Sequence, residues 1–206
     1  MFRDKNIFAV KFKDRLDADK LKEDAAIIKP WMVKEHHQQP LNGAKRLRDG
    51  AESYHTGGWK GVNLDFRNKY FFINIIPGLR DIFEKSGKAV ALQHFSYIST
   101  ALSWFKSPVI RCRILILESG HKINPHVGNG EEKERVRYLI PMKTHPEVVY
   151  YIEDKTFIPE EGEIWYLNQT KTHWVENNSP IDRFTLVVDT YTDAWVEEIF
   201  SSGTYI

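Results

Sequence analysis

The spacing of apolar and polar residues divides the chain into two parts. In the second half the rhythm has a period of two. Across 109–117, Arg111, Arg113, Leu115 and Leu117 share one face, while Ile110, Cys112, Ile114 and Ile116 share the other. That is the signature of a strand, whose successive side chains point to opposite sides. Further strands are predicted at 135–141, 148–153, 163–167, 173–176 and 184–190, separated by Pro and Gly. The first half is mixed. Residues 8–12 alternate and predict a short strand. Leu16, Leu21, Ala25 and Ile28 fall near helical spacing within 14–28, and Pro30 follows as a stop. Residues 38–61 are polar and rich in Gly, which predicts loop with short strands. A short helix is expected at 78–85 and a long amphipathic one at 89–105, ended by Pro108.

Several short strands in series predict a mainly β (α+β) fold, a barrel or double-sheet jelly roll. The expected layout is one domain over 1–206, with mixed, partly helical support over 1–108 and a β-roll over 109–192. A roll of this kind has a mouth where side chains from different strands converge.

Composition narrows the function classes. A chain of 206 residues suits one domain, and 42% hydrophobic with 13% aromatic residues excludes a disordered chain. The balance of 29 basic and 28 acidic residues leaves no electrostatic footprint for nucleic acid or an anionic membrane. Cys112 is the single cysteine and lies in an apolar run, so it reads as a buried thiol rather than a nucleophile. The N-terminus has no secretory pattern, and no apolar run approaches the ~18 residues of a membrane span. A cytoplasmic protein is expected.

Of the eight histidines, most read as surface or satisfied core residues: His36 and His37 in a polar loop, His94 in the long helix, His121 and His145 in turns. His126 and His173 differ. His126 follows a strand and a turn in Ile123-Asn124-Pro125-His126-Val127-Gly128, and His173 follows the strand 163–167 and a polar turn. About three strands separate them, enough to carry the chain round a small roll and back. Ten positions past His173, Arg183 opens an apolar strand. Two imidazoles suit a transition metal with open positions, and a planar guanidinium suits a carboxylate. By spacing alone, two His and one Arg arise easily by chance, and ordinary core or surface residues are the favoured reading.

Taken together, several motifs resemble the aspartyl/asparaginyl β-hydroxylase family. These are Gly57-Gly58-Trp59-Lys60-Gly61-Val62, Pro125-His126-Val127-Gly128, Arg135-Val136-Arg137, Gly162-Glu163-Ile164-Trp165-Tyr166-Leu167, His173, and Arg183-Phe184-Thr185-Leu186-Val187-Val188-Asp189. The second half is also similar to bacterial free-proline hydroxylases of the same superfamily. The resemblance implies a double-stranded β-helix, a cupin-like jelly roll, that uses Fe(II), 2-oxoglutarate and O2. It implies that His126 and His173 are the metal and catalytic histidines. Arg183 would grip the tail of 2-oxoglutarate, and Arg137 would be a second, cofactor-binding arginine facing the pocket.

Two positions depart from these relatives. Gly128 stands where proline hydroxylases carry an acidic ligand, although the β-hydroxylases also have Gly there. Leu139 stands where the β-hydroxylases have a pocket histidine, which separates the expected substrate from theirs. Gly128 also leaves an open iron position, the pattern of iron halogenases. The resemblance thus implies a dioxygenase that hydroxylates a small amino-acid-like substrate or a residue side chain. Halogenation and a non-catalytic β-roll binding module are the alternatives. A small molecule is favoured over a protein, with neither nucleic acid nor membrane as partner. Substrate contacts are sought at Arg113, Asn129 and Trp165, against the plainer readings of ion pair, loop surface and core packing. Trp59 is expected to pack near the pocket entrance.

Overall fold

A computed structural model describes residues 7–35, 55–65, 90–128 and 135–206. The expected loop at His36 and His37, the helix at 78–85 and Asn129 lie outside the described residues. The strands are β1 (Ala9–Arg15), β2 (Lys34–Glu35), β3 (Trp59–Asp65), β4 (Val90–Ala91), β5 (Val109–Leu117), β6 (Lys122–His126) and β7 (Arg135–Lys143). They continue with β8 (Val148–Ile152), β9 (Lys155–Phe157), β10 (Glu163–Leu167), β11 (His173–Asn177), β12 (Arg183–Tyr191) and β13 (Thr204–Tyr205). Among the described residues three α-helices accompany them: α1 (Ala18–Ala26), α2 (Ser96–Ala101) and α3 (Ala194–Ser201).

Among the described residues the strands form two sheets. The major one runs β13-β1-β10-β7-β12-β5-β3-β2, with β4 beside β3, and the minor one runs β6-β11-β8-β9. From β5 onward the chain alternates between them: β5 major, β6 minor, β7 major, β8 and β9 minor, β10 major, β11 minor, β12 major. This is the winding of a double-stranded β-helix, and it encloses a space between the sheets. Gly162 marks one crossing into the major sheet. Its φ is +80°, and a Cβ there would lie 2.3 Å from the Leu16 carbonyl oxygen, so only glycine fits the turn.

The central strand β12 fixes both faces. Its partners on β5 set Arg183 beside Leu117, Thr185 beside Leu115, Val187 beside Arg113 and Asp189 beside Arg111. On β7, Val187 meets Leu139 and Asp189 meets Arg137. These residues share the inner face. The other parity packs outward with Leu21 and Ala25 of α1, Ile98 and Ala101 of α2, and Val196 and Phe200 of α3 in one apolar core.

The expected helix over 89–105 is broken. Val90–Ala91 pairs in parallel with Leu64–Asp65 of β3, a 3-10 turn covers Leu92–His94, α2 spans Ser96–Ala101, and another 3-10 turn follows at Leu102–Trp104. The reason is tertiary. The buried carboxylate of Asp24 on α1 accepts hydrogen bonds from the Tyr97 and Ile98 amides at 3.1 and 2.7 Å. It satisfies amides that would otherwise bond to a preceding turn, so a new helix starts there.

Asn177 closes one end of the roll. Its buried amide nitrogen donates to the carbonyls of Leu117, Glu118 and Ile181, and its oxygen accepts from the Ser179 amide and hydroxyl. No helix among the described residues is long and apolar enough to cross a membrane.

Candidate active site

His126 ends β6 and His173 opens β11, and the register makes them direct cross-strand partners. Their ring centroids lie 4.3 Å apart, with planes inclined at 52°. Each Nδ1 faces a backbone oxygen two residues earlier, Asn124 O at 2.8 Å and Lys171 O at 2.9 Å. A carbonyl can only accept, so each Nδ1 donates its proton and each Nε2 carries the lone pair. Burial pushes the His173 imidazole down to about 3, helped by the neighbouring His126 and Arg137, and burial also lowers His126. Both rings are therefore neutral near pH 7, the form that ligates metals. Among the described residues no group of three or more His, Cys, Asp or Glu could hold a metal ion.

Arg183 lies at the closed end of the roll. It is 3% exposed, and its Nε and Nη1 have no hydrogen-bond partner among the described residues. The guanidinium sits over the Tyr150 ring, 5.4 Å from its centroid, and the Tyr150 hydroxyl is 3.3 Å from Thr185 Oγ1. Burial pushes its pKa down and Tyr150 partly offsets that, but an arginine remains charged. A buried cation without a counter-charge is a site for an anion. Trp59 packs in register with Leu117, in the apolar cluster of the inner face.

Arg137 faces inward as expected, but its nitrogens are engaged. Nε and Nη2 donate to the two Asp189 oxygens at 2.7 and 2.9 Å, and Nη1 donates to Gln169 Oε1 at 2.9 Å. Burial pushes the Asp189 carboxyl up, yet Arg137, with Arg113 and Arg111, holds it at about 2. Gly128 donates its amide to Gln169 O at 2.8 Å. A Cβ added to it would lie 3.0 Å from Gln169 Cβ and 3.1 Å from Gln169 O. The side of Gly128 expected to be open is thus occupied by Gln169.

Arg113 is buried on the inner face of β5, between Val187 of β12 and Asn63 of β3. Trp165 is core: it stacks on Phe157 at 4.7 Å and donates through Nε1 to Glu163 at 2.9 Å. The structure thus brings together His126, His173, Gly128 and Arg137 at one end and sets Arg183 at the other. Sequence reasoning missed Gln169, Tyr150, Thr185 and Asp189 as members of the site. Thr185 and Asp189 share the parity of Arg183 and could have been found that way. Nothing local marks Gln169 or Tyr150.

Residues 26–193 match the family described as aspartyl/asparaginyl beta-hydroxylase. The chain belongs to that family. Its members are 2-oxoglutarate–Fe(II) oxygenases, so this protein is a hydroxylase-type oxygenase by family. Among solved structures it is similar to a Pseudomonas putida prolyl-4-hydroxylase at 14% identity and a TM-score of 0.49, over 90% of this chain and 92% of that one. It is also similar to an oxidoreductase of the 2OG-Fe(II) oxygenase family from Burkholderia pseudomallei at 12% identity and a TM-score of 0.44, over 84% of this chain and 78% of that one. No curated protein matches the chain in sequence.

Proposed function

We propose that the chain is an Fe(II)- and 2-oxoglutarate-dependent dioxygenase that hydroxylates an unactivated C–H bond of a small amino-acid-like substrate, with a residue side chain as the second substrate class. The residues present fit both groups. His126 and His173 would hold the iron through Nε2, because their Nδ1 protons are committed to backbone carbonyls. Arg183 would hold the far carboxylate of 2-oxoglutarate. The observation that carries the reading is its buried guanidinium with Nε and Nη1 left without partners. Such a cation costs several kcal/mol in an empty pocket, and a bidentate carboxylate offsets that cost.

When bound, the iron and 2-oxoglutarate supply the oxidising chemistry, with O2 consumed and succinate and CO2 released. The protein's own residues bind, orient and exclude. The Asn124 and Lys171 carbonyls hold the two imidazoles in one tautomer. The Tyr150 face backs the Arg183 guanidinium, and the Tyr150 and Thr185 hydroxyls flank the same end. Leu115, Leu139 and Val187 line the interior with apolar surface that keeps water out. Hydroxylation is taken over halogenation as the family's reaction, and Gln169 packs against the Cβ side of Gly128.

The test is succinate formation from 2-oxoglutarate with Fe(II), in air and under nitrogen, across a panel of free amino acids and small metabolites. Turnover that requires iron and oxygen, rises with one member of the panel and is lost in His173→Ala supports the proposal. A protein that binds neither Fe(II) nor 2-oxoglutarate would sink it.

A further inference from the structure

Gln169 lies four residues before His173, in the turn between β10 and β11, and nothing above requires it to be glutamine. Three contacts converge on it. Its backbone oxygen accepts from Gly128 N at 2.8 Å, and its side-chain oxygen accepts from Arg137 Nη1 at 2.9 Å. Its Cβ lies 3.0 Å from where a Cβ on Gly128 would be, and its Oε1 lies 3.5 Å from that point. A guanidinium only donates, so the carboxamide is turned with its oxygen toward Arg137, and the NH2 is its other end. Arg137 is itself fixed by both oxygens of Asp189. Gln169 is therefore held at backbone and side chain alike, and its position is enforced rather than adaptable.

We propose that Gln169 keeps this centre a two-histidine centre. It fills, from the facing turn, the space that a ligand side chain two residues after His126 would occupy. It is a positioning residue that sets the metal's donor set through Gly128, and the Asp189–Arg137 pair is its lock. The inference rests on the iron reading above, and deepens it by naming what excludes a carboxylate ligand. Gly128 alone does not do so: an aspartate introduced there would meet Gln169 before it could reach toward the metal.

The test is a double-mutant cycle between Gly128→Asp and Gln169→Gly. Glycine is required at 169 because Gln169→Ala would keep the crowding Cβ. Two quantities are read: Tm of the metal-free protein, and Co(II) affinity by absorption titration in the presence of 2-oxoglutarate. Overpacking in Gly128→Asp is expected to lower Tm by about 3–8 °C relative to wild type, with no tightening of Co(II). In Gly128→Asp/Gln169→Gly the part of that loss owed to the Gln169 side chain should be recovered relative to Gln169→Gly, while crowding by the carbonyl oxygen of residue 169 remains. Co(II) should then bind about tenfold more tightly, with a changed d–d spectrum, as a third protein ligand joins. Strictly additive Tm effects, or a Gly128→Asp single variant that tightens Co(II) without losing Tm, would overturn the proposal. If Gly128→Asp does not fold, Gly128→Ala takes its place in the Tm cycle, where coupling with Gln169→Gly supports the proposal and additivity rejects it. Wild-type protein that binds no Co(II) would count against the function proposed above, while the Tm cycle still decides this inference.

Discussion

On the outer side of β12, Leu186, Val188 and Thr190 are wholly buried, and they pack with the helices in an interior that is almost entirely apolar. On the inner side of the same strand, Arg183, Thr185 and Asp189 are buried nearly as well, yet each is polar or charged. The two faces share one backbone and nearly equal burial, and parity decides which neighbours each meets. The outer face therefore does nothing but hold the sheet to its helices, by removing apolar area from water. The inner face carries ions into a dry space, where each must be balanced or remain a liability. Asp189 is balanced by Arg137. Arg183 is the unbalanced member, which makes it the natural seat for an incoming anion.

Substitutions on the two faces should separate stability from chemistry. The largest change is expected from Asp189→Asn, which strands the Arg137 cation and should lower unfolding free energy by about 3–5 kcal/mol in urea. The same variant should alter acid sensitivity. The Asp189 carboxyl is held at about 2, below its ordinary value, so its ion pair adds stability above about pH 4 that fades as pH falls toward 2. The variant's stability should accordingly fall less steeply between about pH 4 and pH 2; an equally steep acid limb would show the pair contributes nothing.

Leu186→Ala, on the outer face, should cost about 2–5 kcal/mol while leaving KM for 2-oxoglutarate unchanged. A raised KM there would blur the division between faces. Arg183→Met should do the reverse. It should raise KM for 2-oxoglutarate by about a hundredfold and stabilise the ligand-free protein by about 1–4 kcal/mol. Thermal melts showing a loss instead would mean the guanidinium is already compensated. The smallest effect is expected from Tyr150→Phe, which keeps the ring under Arg183 and removes the hydroxyl beside Thr185. Stability should drop by about 0.5–1.5 kcal/mol, with KM for 2-oxoglutarate rising only a few-fold.

Strands with regular alternation were legible from sequence alone. Val109–Leu117 and Glu163–Leu167 have the boundaries their patterns predict, because both faces are buried and period two is the dominant signal. The strand carrying His126 read as a turn because Asn124-Pro125 interrupts it. Its place at the edge of the minor sheet explains why proline is tolerated. The long helix was misread because its break is imposed by Asp24, more than seventy residues away. His126, His173 and Arg183 were named from motif resemblance, and the juxtaposition of the two imidazoles needed the fold. Gln169 sits in a polar turn like many others, and its significance comes only from Gly128 and Arg137, which local sequence cannot place beside it.

The network around Asn177 has a consequence for traffic. With three carbonyls and a serine knotted round one amide, the Arg183 end has a floor, and His126, Val127 and Gly128 stand at the more exposed rim. For a ligand entering past that rim, the seat at Arg183 would lie behind the one over the histidines, to be filled first and emptied last.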